Sequence, residues 1–454
     1  MTAIATRIGE WIANFGPKDL TADEAHSARR ALLDTLACTL GGRHEPAAVR
    51  ALAYARKVSG PGAATVWGSG ERLGLEQAAF VNGVMGHVLD YDDVSGPTRG
   101  HPSVAILPAL VALAEAEGLG VDAVAAAFVA GFEIAGRIGD TLGDDHYAKG
   151  WHATASIGLI GATAACANLL RLPADQVTHS IGLAVAQAAG TRENFGTDAK
   201  SFQAGHANRA AVQSVLLARE GFTAAPEVLE GPRGYLSLYG AGEDLVAGFA
   251  NLGATPRLLE KARLEVKKYP MCYGTHRALD ALFALKTESG VGLQDVASVE
   301  VLGNARAFAP LKHDRPQTGL EGKFSMQYAM AAGLADGRVT LASFEDAAVR
   351  RPEIQEFLPR VTKRETDAPI RPRFNTVRLA LKDGRTLERR VEALRGGPEA
   401  PLPDAELAAK LADCMAHAGV KADAQALAAA ILDPADRRIG DILGLLSPVR
   451  VAAE

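Results

Sequence analysis

The stretch from Asn82 to Pro108, NGVMGHVLDYDDVSGPTRGHPSVAILP, gathers two histidines, three aspartates and an arginine between Ala- and Leu-rich runs. His87, Asp90 and Val94 have the i, i+3, i+7 spacing of one helix face. Gly96 and Pro97 then break the helix, Arg99 and His101 fall in a short polar loop, and Pro102 stands where a new helix can begin. The expectation is helix, polar loop, helix, with ionisable groups gathered at a break that could hold a pocket. Imidazoles and carboxylates so placed can move protons. The aspartates with His101 could alternatively share a divalent metal. Asp92 and Asp93 are expected to cap or pair locally. Asp90-Tyr-Asp-Asp93 has the DxDD form of a terpene-cyclase acid, but at 6% aromatic residues the chain is poorly equipped to line a carbocation cavity.

Four further places carry chemistry. In KGWHATASIGLIGATAA, His152 opens a helix of small residues, and the positive end of that helix should lower the imidazole pKa and leave it able to accept a proton. In ENFGTDAKSFQAGHANRAA, Lys200 precedes another small-residue helix, where an ammonium could hold a carboxylate or an enolate oxygen. KKYPMCYGTHRALDAL brings Lys267, Cys272 and His276 around a proline turn. No nucleophile elbow accompanies Cys272, which is read as structural, while Lys267 and His276 could line a cleft between domains. GKFSMQYAMAAGLADG places Tyr328 on a helix, as a candidate catalytic phenol or a core tyrosine. Gly68-Ser-Gly70 lacks the third glycine and the βαβ setting of a dinucleotide loop.

The elements that must position these residues are mostly helical up to about residue 265. Thr21 and Glu24 have capping-box spacing before a helix that runs to Gly41–Gly42. Apolar periodicity predicts further helices over Pro46–Val58, Leu73–Leu89, Val104–Ala116, Val121–Leu142, His152–Leu170, Pro173–Ala188 and Gln203–Arg219. From Ala262 the pattern changes. ARLEVKKYP and Ser298–Gly303 alternate like strands, and Phe374–Leu381 and Leu387–Leu394 read as a hairpin turning at Asp383–Gly384. Helices are expected at Thr275–Thr287, Gly322–Ala335 and Ser343–Arg350, then a linker at Gly396–Pro403 and two last helices, Asp404–Ala418 and Asp423–Leu432. The fold class is therefore mainly α: a large all-helical domain (1–265, rejoined by 400–454) and a smaller α+β lid domain (266–399).

Composition excludes several classes. A chain of 454 residues with 48% hydrophobic and 22% charged residues is an ordinary globular balance, and a net charge of −5 gives no electrostatic case for nucleic acid or an anionic membrane. The four cysteines are too scattered for a zinc site or a disulfide framework. No apolar run approaches the ~20 residues that span a bilayer. The N-terminal stretch is too amphipathic and charged for a signal peptide, so the expected location is cytoplasmic.

Taken together, NG…HVLDYDD…HPS, GWHATASIGLIGATAA, K…GHANRAA…GFT…LEG and KKYPMCYGTH resemble the MmgE/PrpD family, whose members include dehydratases of 2-methylcitrate, decarboxylases of cis-aconitate and epimerases of iminodisuccinate. The resemblance implies a helical domain with an α+β lid, a homodimer, no organic cofactor, and a small di- or tricarboxylate substrate. It implies catalytic roles for Asp90, His101, His152, Lys200 and Tyr328, and substrate contacts from Lys267. Arg99 and His276 join that substrate-binding set by their position in the sequence. Two departures stand out: Val94 replaces the threonine common after the paired aspartates, and AKSFQAG replaces the commoner TKPLHAG. Arg99 and the NFGT…K wording are nearer to the epimerase-like branch. The expected reaction is abstraction or return of an α-proton through an enolate-like intermediate.

Overall fold

The computed structural model describes residues 2–240, 246–255, 257–262, 264–370 and 372–446. It divides into two compact units, residues 1–265 with the C-terminal stretch from 403, and residues 266–402.

In the first unit, helices form where apolar periodicity and caps predict them. Thr21 caps Ala22–Gly41 with a capping box, and Pro46 opens Pro46–Val58. The helix Ala153–Leu169 is buried on every side. Its sequence therefore shows no polar stripe, the signature of a helix at the centre of a bundle. The helices Pro102–Ala116, Val121–Ala148 and Asp198–Arg219 pack around it, and Leu75–His87 packs against the last of these. Close approach needs glycine: a Cβ on Gly83 would lie 2.9 Å from the Gly205 Cα, and one on Gly205 would lie 2.6 Å from the Phe80 carbonyl. The same crossing brings Asn208 to a weak point in its neighbour. Pro108 lies inside Pro102–Ala116 and has no N–H to give to the Val104 carbonyl. Asn208 supplies the missing bond, donating through Nδ2 to Val104 O at 2.8 Å while its Oδ1 accepts from the Ala109 N–H at 2.8 Å.

Three expectations need correction here. The unit is not all helical, because Pro61–Thr65 (β1) and Arg72–Leu73 (β2) form a small antiparallel pair, with Gly68 and Gly70 at positive φ in the connection. Asn82 ties this pair to its helix, accepting from Trp67 N at 3.0 Å and donating to Thr65 O at 2.9 Å. The helix over Leu75 ends at His87, so His87, Asp90 and Val94 do not share a helix face: Asp90 is in left-handed backbone at φ 54°. The ARLEVKKYP strand is reduced to one bridge, Glu265 with Val94, and residue 263 lies outside the described residues.

The second unit is α+β. Four strands, Val296–Gly303 (β3), Val361–Glu365 (β4), Asn375–Leu381 (β5) and Thr386–Val391 (β6), order as β4-β3-β5-β6. The β5–β6 hairpin pairs Thr376 with Arg390 and Leu379 with Leu387, and turns with Gly384 at φ 89°. β4 was not predicted. Its sequence VTKRE is charged and mostly exposed, as suits an edge strand, and it runs parallel to β3. Helices His276–Ser289 and Met326–Asp336 pack with the sheet over a core of Leu279, Leu282, Val299, Val377 and Leu379. The Ser343–Arg350 helix is instead a 3₁₀ turn, Leu341–Phe344, and one short turn, Asp346–Val349. Among the described residues no helix is long and apolar enough to cross a membrane.

Replacing Asn208 by Ala leaves two buried backbone groups without their partner. At ~1–3 kcal/mol each, the expected loss is about 2–6 kcal/mol of unfolding free energy, read from urea denaturation. A loss below about 0.5 kcal/mol would mean that the Pro108 break needs no such repair.

Candidate active site

The break after Leu75–His87 delivers a buried cluster of ionisable side chains within the first unit. His87 ends its helix wholly buried, and its Nδ1 lies 2.8 Å from Asp92 Oδ2. His101 Nδ1 approaches the same oxygen at 3.1 Å, so one carboxylate serves two imidazoles. The two rings meet edge to face at 4.7 Å, and the His87 ring stacks on His152 at 5.8 Å. Lys200 Nζ donates to Asp90 Oδ1 at 2.6 Å, and His101 Nε2 stands 3.8 Å from that oxygen. Phe195 touches both sides of the cluster, edge-on to His152 at 5.0 Å and under the Lys200 ammonium at 5.4 Å. His87, His101, His152, Asp90, Asp92 and Lys200 thus form one site.

The backbone around them is fixed by specific bonds. His101 N donates to Thr154 Oγ1 at 3.1 Å, and Gly100 fits beneath the Ala153–Leu169 helix because a Cβ there would lie 2.8 Å from Thr154 N. Asp93 accepts from the Ser103 hydroxyl and, at 3.3 Å, from its N–H, which is the local capping expected of it. Behind the loop, Lys410 of the helix Asp404–His417 donates to the Tyr91 carbonyl at 2.8 Å and pairs with buried Asp34 at 2.6 Å.

Burial sets the protonation states. It presses His87 down to about 4, against the opposing pull of Asp92. It holds His152 well below the ordinary histidine value, with His87 and Lys200 adding to the effect. Burial, not the helix terminus, is thus the leading cause at His152. For Asp92 burial pushes the other way, but His101 and His87 together outweigh it and keep the carboxyl well below its usual range. Burial and then the nearby Asp34 push Asp93 far up. His152 Nδ1 faces Gln203 Oε1, and its buried Nε2 has no hydrogen-bond partner among the described residues. The arrangement can therefore take a proton at a neutral imidazole beside a lysine and an anion-paired histidine.

Of the residues expected from sequence, Asp90, His101, His152 and Lys200 come together here. Arg99, in left-handed backbone at φ 53°, donates to the Gly139 carbonyl at 3.1 Å and pairs with Asp144, stapling its loop to the Val121–Ala148 helix. The other three lie in the second unit. Lys267 is buried there, and His276, fully buried, has Nε2 3.2 Å from the Met271 carbonyl. Tyr328 is also fully buried, its hydroxyl donates to the Ser343 carbonyl, and burial pushes its pKa up to about 12. Three members of the site were not among the catalytic or substrate-binding candidates: His87, read only as part of a helix face, Asp92, read mainly as a local cap or pair, and Gln203. The i+5 spacing of His87 and Asp92 across a helix end was the available signal for the first two. His87, Asp92 and His101 each bring one donor atom within 4.8 Å of the others, a spacing that fits a divalent cation. In the structure the two imidazoles share the Asp92 oxygen.

Imidazoles bridged by a carboxylate, with a lysine beside them in a helical core, are groups that can exchange protons. The chain belongs to the MmgE/PrpD family: the MmgE/PrpD N-terminal domain matches residues 6–247 and the MmgE/PrpD C-terminal domain matches residues 269–433. It is an enzyme of that family. Human cis-aconitate decarboxylase is 28% identical over 406 residues, covering 86% of this chain and 83% of the relative. The cis-aconitate decarboxylase of Aspergillus terreus is 27% identical over 435 residues, 89% of this chain and 87% of the relative. The 2-methylcitrate dehydratase of Cupriavidus necator is 27% identical over 399 residues, 80% of this chain and 79% of the relative.

Two predictions test the electrostatics. With His87 held at about 4 when folded and near 6.5 when unfolded, the unfolded chain binds the extra proton between those values. Stability is therefore full above pH 6.5 and falls by up to about 3 kcal/mol as the pH drops to 4. Urea midpoints across that window should fall for the wild type and fall less steeply in His87→Asn, where buried His152 and His146 still contribute. Lys410→Met strands the buried Asp34 carboxylate and should cost about 3–5 kcal/mol, and adding Asp34→Asn should restore much of it. No recovery in the double variant would remove the ion pair from the account.

Proposed function

We propose that the chain acts on a small di- or tricarboxylate without an organic cofactor, as a lyase or isomerase whose first step is removal of a proton from a carbon beside a carboxylate. The observation that carries this reading is His152, a buried imidazole held neutral, with an Nε2 lone pair that no described side chain occupies. The proton passes to Nε2, and the electron pair of the broken C–H bond moves into the carboxylate as an enolate. Lys200 and His101 supply cationic or donor groups for that charge, the largest contribution expected at such a site. Asp90 orients the lysine and Asp92 the histidine.

The enolate then has two outlets. Expulsion of a β-hydroxyl, protonated as it leaves, gives an alkene, and this dehydration of a 2-methylcitrate-like substrate is the first reading. Return of the proton to the opposite face gives an epimer. The decarboxylase relatives favour a second reading, in which a carboxylate leaves as CO₂ and the resulting carbanion takes a proton from the imidazolium form. A histidine held neutral suits the base-first reactions better.

Proton NMR in D₂O with 2-methylcitrate, citrate, cis-aconitate and iminosuccinate-type substrates separates these outlets. New vinyl signals mean dehydration, deuterium at the α-carbon without loss of substrate means epimerisation, and a methylene product with CO₂ means decarboxylation. His152→Asn should lower turnover by about 10²–10⁴. Turnover within a few fold of wild type would remove His152 from the chemistry.

A further inference from the structure

The geometry points to Gln203 as the residue that fixes which nitrogen of His152 takes the proton. An imidazole has two neutral tautomers, and burial alone does not choose between them. Here the choice is made by an amide whose own orientation is dictated from behind. Gln203 Nε2 donates to the Thr191 carbonyl at 3.1 Å. A carbonyl cannot donate, so the NH₂ end of the amide must face Thr191 and Oε1 must face His152. Oε1 can only accept, so the proton of the neutral ring must sit on Nδ1 and the lone pair on Nε2. Nε2 is the atom left buried without a partner among the described residues.

One short segment holds both the backbone of His152 and the amide that faces its ring. The His152 N–H donates to the Gly190 carbonyl at 3.0 Å, one residue before the carbonyl that orients Gln203. Gly190, at φ 130°, is required there, because a Cβ would lie 3.1 Å from the Gln203 amide carbon and 3.0 Å from the Ala155 methyl. Trp151 and Thr191 form a β-bridge, and Arg192 N donates to the Gly150 carbonyl at 2.8 Å, locking the segment against the start of the Ala153–Leu169 helix. Backbone at 190–191 therefore sets the position of the ring through Gly190 and its tautomer through Thr191 and Gln203. Gln203 is a positioning residue, since it acts through His152.

An amide in this place has a chemical consequence. A carboxylate accepting from Nδ1–H would stabilise the imidazolium and raise the histidine pKa, whereas a neutral amide fixes direction and adds far less charge stabilisation. The arrangement keeps the ring a base at and below neutral pH and lets it surrender its proton after the reaction. The inference rests on the reading of His152 as the base, but the tautomer can be measured without turnover.

The test is ¹⁵N NMR of histidine-labelled full-length protein, with the His152 signals assigned by their loss in His152→Asn. The wild type should show a protonated Nδ1 and an unprotonated Nε2 at neutral pH. In Gln203→Leu the pattern should shift toward a tautomer mixture, with kcat falling on the order of tenfold to a hundredfold and KM little changed. Gln203→Glu, nearly isosteric and keeping an oxygen toward Nδ1, should retain the wild-type tautomer while moving the acid limb of the kcat/KM profile to higher pH. A wild-type signal with Nε2 protonated, or an unchanged tautomer in Gln203→Leu, overturns the inference. The expected tautomer pattern in a protein that turns over none of the carboxylates would uphold the clamp and overturn the proposed reaction instead.

Discussion

The site depends on one carboxylate buried between two imidazoles. Placing Asp92 in a helical core is costly for an ionised group, and only the pairing with His87 and His101 makes the charged form the stable one. That requirement shapes its surroundings. The helix Leu75–His87 must stop so that the chain can turn Asp92 back onto its last residue, and the turn takes Asp90 through left-handed backbone. A loop carrying three acids inside the protein then needs its own neutralisation. Asp90 finds Lys200, Asp93 finds Ser103, and Lys410 holds the Tyr91 carbonyl from behind.

The helices accept this loop because they are built from small residues at the points where they cross. Gly83 against Gly205 allows Leu75–His87 and Asp198–Arg219 to approach closely enough for Lys200, at the start of one, to reach Asp90, just past the end of the other. The same approach lets Asn208 take over the hydrogen bonds that Pro108 breaks. One helix thus serves both the packing and the site: Lys200 and Gln203 reach Asp90 and His152, and Gly205 and Asn208 hold the neighbouring helices in place.

Much of this was legible in the sequence. Periodicity and caps located most helices of the first unit, and the Asp383–Gly384 turn located the hairpin of the second. The misses have physical reasons. The strand Val361–Glu365 carries charge because it is an edge, so its pattern is that of a solvated loop. The ARLEVKKYP alternation forms only one bridge, Glu265 with Val94. In the site, His101, His152, Asp90 and Lys200 were readable because small residues and breaks surround them. Gln203 was not, because an amide shows nothing in one dimension of the contact that gives it a role. Asp92 looked like a capping residue, and only the fold places a histidine on each side of it.

The contrast between the two kinds of histidine partner is the last step. His87 and His101 share a carboxylate, whose upward pull on His87 is outweighed by burial, while His152 faces an amide, whose upward pull is smaller than the lowering by burial, His87 and Lys200. Among rings stacked within 6 Å of one another, simultaneous protonation would be opposed by mutual repulsion, so the neighbours must divide the roles. The proposed base, His152, is the ring of the three that faces a neutral amide. His101 is the partly exposed ring of the three, flanked by Asp90 and Asp92. Pairs of titratable groups pushed apart by their environments are how one site holds an acid and a base at the same pH. In this chain burial outweighs the carboxylate at His87, and at His152 it acts beside a partner that carries no charge.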